Sequence, residues 1–420
     1  MSRFLWIISQ LSSRLWVNAS LYGVVAVITP LLAILLKQFI PFDLPQKIGA
    51  DSVGSILNIL ATSMLSVTIF SLSTMVAAYG AATSNVTPRA TQLLIEDKLS
   101  HRALSTFLGA FIFSIVGIVT LQTGVYGEKG RLILFVVTIG VIVMIVVALL
   151  SWIEYLARLG RVTETIDRVE RAATVALETR LRTPYLGGVP LLQDDAIPAD
   201  AVPVAAETVA YVQHIDMPHL AATAQEYGVD IYVAALPGKF LDATLPLAHV
   251  RGELAGEEVW AEIRRGFIMG HTRSFRQDPR FGLAVLHEIA IRALSPAIND
   301  PGTAIQVIGT GVRILSRWAE RKKLVAPEGE RIYQRVYVPP LKADDMFDDF
   351  FPPIARDGAT SPEVQIRLQK AFAALARTGD AELIRYSHEH AAQALARAEQ
   401  ALTFAADKER LQEVAQWRAL

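Results

Sequence analysis

The chain has 420 residues, 52% hydrophobic and only 19% charged, with a net charge of -1 and no cysteine. Its near-neutral field offers nothing to a nucleic-acid backbone, and the missing thiols exclude disulfides, thiolate nucleophiles and cysteine metal sites. Of 40 basic and 41 acidic residues only 9 and 6 lie before Arg158, so a membrane domain followed by a soluble domain is expected.

Crossing a bilayer takes about 20 apolar residues of helix. Four uncharged stretches reach that length: Leu15 to Leu36, Ser52 to Pro88, Ala103 to Gly127 and Leu132 to Ile153. Trp6, Trp16 and Trp152 lie near the expected membrane surfaces, where an indole is favoured. No small-residue cleavage site follows the short apolar start, so no cleaved signal peptide is read there. Arginines and lysines gather on one side (Arg3, Arg14, Arg89, Lys98, Arg102, Arg158), against Lys37, Lys47, Lys129 and Arg131 on the other. The positive-inside rule then places both termini and the soluble domain in the cytoplasm.

The second stretch is unusual. Its 37 uncharged residues would make a helix of about 55 Å, and it is rich in hydroxyl side chains. At about 100° per residue, Ser55, Thr62, Ser66, Ser73, Gly80 and Ser84 fall along one line, with Asn58 beside it. Such a stripe either packs closely against another helix or faces water as a pore lining. No charge sits inside any of the four stretches, so a proton relay or voltage sensor has no residues to use.

Beyond the fourth stretch, Tyr155, Leu159, Val162, Ile166, Val169, Ala173 and Ala176 recur at spacings of three and four. This predicts a helical stem over 155–182 that continues the span, either joining subunits or packing on its own domain. A linker rich in proline and glycine follows at 183–204. The stretch 205–340 reads as a mixed α/β domain, with strands at Glu207 to Asp216, Val229 to Leu236, Ile263 to Phe275 and Arg331 to Val338. Helices are expected at Pro218 to Tyr227, Phe281 to Leu294 and Thr303 to Lys323, and residues 341–420 read as helical.

The richest local pattern runs from Arg264 to Thr303. One reading is purely local: Ser295-Pro296 stops a helix, Asn299 serves the turn, Asp300 caps the next helix and Pro301 suits its first turn. The other is an anion or regulatory pocket in which Arg273 and Arg292 bind phosphate or carboxylate, oriented by Asp278, Asn299 and Asp300. Enzyme motifs are missing: there is no Gly-x-Ser-x-Gly, no Walker loop and no zincin pair after His287-Glu288. His214, Asp216 and His219 lack a fourth ligand, and His388 and His390 are expected to be solvated. No catalytic residue, metal or cofactor is therefore expected.

Phe281-Gly282 and the run Glu288-Ile-Ala-x-Arg-Ala-Leu-Ser-Pro-Ala-Ile-Asn-Asp-Pro-x-Thr-Ala304 resemble a bacterial family of predicted inner-membrane proteins catalogued as domain of unknown function 2254. Pro88-Arg89, Leu93-Leu94 and Asp97-Lys98 look like that family's link between second and third spans. The resemblance supports an α-helical membrane domain of four transmembrane helices (1–154) and a cytoplasmic mixed α/β domain with a helical C-terminus, and it implies no activity. The expectation is a homo-oligomeric channel or transport-type protein of the bacterial inner membrane, passing ions or small polar solutes under control of its cytoplasmic domain. A non-conducting scaffold or sensor, binding a protein partner or anionic metabolite, is the alternative. The expected partners are the lipid bilayer, further copies of the chain and an anionic small-molecule effector.

Overall fold

A computed structural model describes residues 50–420 apart from 96, 124–126, 193–196, 254–255, 325–332 and 420, and positions 20, 24 and 28 besides. Apart from those three positions, the expected span Leu15 to Leu36 lies outside the described residues, as do Trp6 and Trp16. The chain forms two compact units, one of residues 7–84 and 91–164, the other of 1–6, 85–90 and 165–420.

The described residues of the smaller unit are helical. Helices α1 (Ala50–Asn85), α2 (Pro88–Ile95), α3 (Lys98–Gln122) and α4 (Gly127–Leu156) follow one another. Three are long and apolar enough to cross a membrane, over Ser52–Ser84, Leu99–Gln122 and Arg131–Leu156. Helix α1, at 36 residues, is about 54 Å long. It buries Val53, Leu57, Ala61, Met64, Ser71 and Met75, positions three, four or seven apart that share one helix face. Leu57 packs with Phe113 and Leu134, and Met64 and Met75 with Phe107, Ile145 and Trp152. Asp97 starts α3 by accepting bonds from Leu99 N (2.7 Å) and Ser100 N (3.3 Å). Trp152 is buried and stacks on Tyr155 at 5.2 Å, so its ring packs among the helices of this unit.

Helix α4 does not run on into a stem. It stops at Leu156, Gly160 turns the chain with φ 82°, and α5 (Val162–Arg182) begins afresh. The sequence pattern spans this break because both helices present apolar residues at helical spacing, while only a glycine adopts that φ readily. Ile166, Val169, Ala173 and Ala176 are buried in the larger unit, where a Cβ on Gly282 would overlap Ala173.

In the larger unit the strands are β1 (Val189–Pro190), β2 (Val202–Ala205), β3 (Ala210–Ile215), β4 (Asp230–Val233), β5 (Phe240–Leu241), β6 (Pro246–Arg251), β7 (Phe267–Gly270) and β8 (Val336–Val338). They make a five-stranded sheet, β1-β8-β4-β6-β2, and a three-stranded one, β5-β3-β7. β8 runs parallel to β1 and β4, while β6 runs antiparallel to β4 and β2. Val212, Ile215, Leu220, Ile231, Val250, Ile263 and Val336 share one core. Helices α6 (Met217–Glu226) and α7 (Glu257–Arg265) pack among the strands. The strand expected from Ile263 is therefore shorter and later. Val259 and Ile263, four apart and both buried, make 257–265 helical, with Glu257 and Glu258 in its first turn and Arg264 and Arg265 in its last.

Beyond β7 lie α8 (Pro279–Ala293), α9 (Pro301–Ser316) and α10 (Arg321–Leu324), and after β8 come α11 (Ala343–Asp357), α12 (Pro362–Ala376), α13 (Ala381–Ala401) and α14 (Ala405–Ala415). The unit is continuous through 183–204 and across residue 340, where the sequence suggested boundaries, because β1 inserts beside β8 from within that proline-rich stretch. His390 is not solvated: it is 5% exposed among the rings of Phe347, Phe351 and Phe372.

Candidate functional site

The turn Pro237-Gly238 brings backbone against the start of α8. Gly238 has φ +93°, and a Cβ there would fall inside the Asp278 carboxylate, so only glycine meets both demands. Asp278 caps α8 through Oδ1, which accepts from Phe281 N at 3.2 Å, while Arg273 Nε donates to Oδ2 at 2.7 Å. The Arg273 guanidinium also lies 5.1 Å from the centre of the Phe281 ring. Asp278 is 2% exposed, and burial pushes its carboxyl above the usual range against the pull of Arg273. Arg280 forks onto Asp349 (2.6 and 3.0 Å) and reaches Asp345 (3.0 Å).

Arg180, near the end of α5, is 6% exposed, and its Nη1 has no partner among the described residues. Burial lowers its pKa to about 10, so it still holds its charge at neutral pH. Arg180, Lys239, Arg273, Arg280 and Lys342, with Asp278 and Asp345, line a cavity of about 520 Å³. Five bases against two acids make its walls cationic. A second cavity of about 520 Å³ shares Arg180, Pro340 and Leu341 with the first and adds Tyr185, Trp318, Arg321 and Glu382.

Of the residues singled out by sequence, Arg273 and Asp278 line the cationic cavity, and Arg292, Asn299 and Asp300 do not. The physical reason is α8, whose 15 residues separate the two groups by about 22 Å. Arg292 lies in the last turn of α8, Asn299 turns the chain with φ 49°, and Asp300 caps α9 by accepting from Thr303 N at 3.0 Å. Bonds from the Thr303 hydroxyl and amide hold the Asp300 carboxyl below its usual range. The local capping account thus describes Asn299 and Asp300, while Arg292 Nε is buried without a partner among the described residues. Arg180 was missed although its signal is readable: it continues the buried series Ile166, Val169, Ala173, Ala176, where a charge is out of place.

The stripe residues Ser55, Asn58, Thr62, Ser66, Ser73, Gly80 and Ser84 are all exposed on α1. Thr62 Oγ1, Ser66 Oγ and Ser73 Oγ donate to the carbonyls of Asn58, Thr62 and Ile69, each at 3.0 Å. Among the described residues nothing bonds the Asn58 carboxamide. Asp216 caps α6 through His219 N at 3.1 Å, and the His219 ring meets Glu262 O at 2.9 Å. Asp344, Asp348 and His390, where the sequence suggested no metal, place ligating atoms within 4.8 Å of one another, close enough to share a small cation.

The family model described as a predicted membrane protein (DUF2254) matches residues 12–374. Over 116 residues the chain is 37% identical to uncharacterised proteins of Mycobacterium bovis and Mycobacterium tuberculosis. That stretch is 26% of this chain and 22% of each relative, so the chain spans less than a quarter of the length of these curated relatives. No solved structure matches it.

Proposed function

Because the chain belongs to the predicted membrane protein family DUF2254, we propose that it works in a bacterial inner membrane as a non-catalytic homo-oligomer. Both termini lie in the cytoplasm and α1 lines a passage for ions or small polar solutes under control of the soluble unit. The observation behind this reading is the exposed stripe of α1 with Asn58 beside it. An unbonded amide facing hydrocarbon costs several kcal/mol, so this face calls for water or polar groups from another copy. The hydroxyls around it are small enough to leave room for either. Weak, uncharged walls suit conduction without strong charge selection.

Because the chain has no cysteine, Ser66→Cys introduces a unique thiol. We expect a small water-soluble thiol reagent to label it in membranes, while Phe70→Cys, on a neighbouring exposed face, stays unlabelled. In planar bilayers the purified protein should give discrete conductance that Ser66→Leu abolishes while the oligomer survives. Silence from folded wild type across voltage, tension and salt, with no labelling at Ser66→Cys, overturns the passage. The cationic cavity favours the second reading in that event, a non-conducting membrane sensor of an anionic metabolite.

A further inference from the structure

We propose that the two adjoining cavities of the larger unit form one binding site for a phosphate monoester of an aromatic heterocycle, with the phosphate on Arg180 and the ring between Tyr185 and Trp318. The inference concerns the soluble unit and holds whether or not the membrane unit conducts.

Arg180 is the starting point. A buried guanidinium without a compensating partner is costly, and buried unsatisfied donors are rare. Yet Nη1 of Arg180 has no partner among the described residues, and the residue lines both cavities. Nearby charges do not satisfy it. Asp278 is already taken by Arg273 and by the α8 cap, and Asp345 by Arg280. Lys239 donates to Ala234 O at 3.1 Å and is otherwise exposed, as is Lys342. Once the internal pairs are subtracted, with Asp345 and Asp349 both on Arg280, Arg180, Lys239 and Lys342 leave the first cavity with an excess of about two positive charges. A carboxylate brings one charge and two oxygens, whereas a phosphate monoester brings close to two charges and three acceptor oxygens. The phosphate fits better, and arginine is the side chain suited to fork onto it.

The second cavity has the opposite character. Apart from Arg180, its charges are internally paired: Arg321 lies over the Trp318 ring at 5.1 Å and binds Asp380 and, at 3.2 Å, Glu382, which also accepts from Trp318 Nε1 at 2.8 Å. What remains is apolar: Leu181, Pro184, Tyr185, Trp318, Pro340 and Leu341. Tyr185 is held there with φ 57°, in the left-handed region, which a bulky side chain occupies only when its surroundings fix it. Each cavity, at about 520 Å³, falls within the range of about 300–1,000 Å³ of small-ligand pockets. A molecule with a charged end and a flat apolar end spans the pair, with Arg180 at its waist.

The test is calorimetric titration of the full-length protein in detergent with AMP, flavin mononucleotide, adenosine and inorganic phosphate. AMP or flavin mononucleotide should bind at least tenfold tighter than phosphate, and adenosine should give no heat. Arg180→Met should weaken that binding at least tenfold, about 1.4 kcal/mol, with an unliganded melting temperature equal to or above wild type, since a merely structural arginine would lower it. Lys239→Ala, an exposed change that leaves the fold intact, should weaken the same binding severalfold. No binding of any of the four probes at millimolar concentration overturns the site. Equal affinity in wild type and both variants overturns the role of Arg180, and phosphate binding as tightly as both esters overturns the ring half.

Discussion

Arg89 and Glu288, 199 residues apart in sequence, form an ion pair with Nη1 2.7 Å from Oε1. The other carboxylate oxygen of Glu288 accepts from the hydroxyl of Thr87 at 2.8 Å. Both halves of the family resemblance, the Pro88-Arg89 link and the stretch opening at Glu288, therefore meet at one carboxylate. Arg89 is 60% exposed and Glu288 22%, so water screens the pair and its coupling should be about 0.2–1 kcal/mol. A double-mutant cycle of Arg89→Ala with Glu288→Gln, read by thermal melts, measures it. The buried Thr87 matters more: Thr87→Val removes a donor from a partly buried carboxylate and should cost about 1–3 kcal/mol.

Gly282 and Gly238 should not tolerate a methyl group, for different reasons. Gly282→Ala drives a Cβ into Ala173 across the α5–α8 contact, and overpacking of this kind costs about 1–3 kcal/mol. Ala173→Gly beside it should restore part of the loss. Gly238→Ala adds backbone strain at φ +93° to a clash with Asp278, and no small change nearby relieves both. Its melting temperature should fall, and the Arg273–Asp278 pair should be disturbed with it.

Acid should destabilise the larger unit through its buried histidines. Burial lowers the pKa of His390 and His287 below the usual value, against the raising pull of Asp348 on the one and of the Asp349 backbone and Glu288 on the other. Above about 6.5, where an unfolded histidine is neutral, folded and unfolded chains carry the same charge there. As pH falls below that value the unfolded chain takes up the protons first, so the stability these rings contribute is lost. Melting temperature should drop between pH 7 and pH 5, and His390→Phe, which keeps a ring among Phe347, Phe351 and Phe372, should flatten the drop.

Sequence alone was a good guide wherever a residue's job is local. The long apolar run of the second stretch appears as α1, and the capping roles read into Asp300 and Pro301 hold because a cap needs only its next few neighbours. Strand β3 and helix α6 follow from alternation and from Asp216 with its proline. The readings that failed depended on distance or on a single turn. The sequence suggests one pocket for Arg273 and Arg292, yet Arg273 lies before α8 and Arg292 in its last turn. One left-handed glycine divides an apolar pattern that looked continuous. The cationic cavity draws Arg180, Lys239 and Asp278 from three separate segments, and no window of sequence contains all of them.

The hydroxyls of α1 have already chosen where their hydrogens go. Thr62, Ser66 and Ser73 point them back at carbonyls one turn earlier, which leaves oxygen lone pairs as the outward face of the stripe. Such a surface can receive hydrogen bonds but has few to give. Whatever lies along it must bring its own hydrogens or its own positive charge. Water, hydrated ions, or a side-chain amide such as the Asn58 carboxamide of another copy are suited to that face.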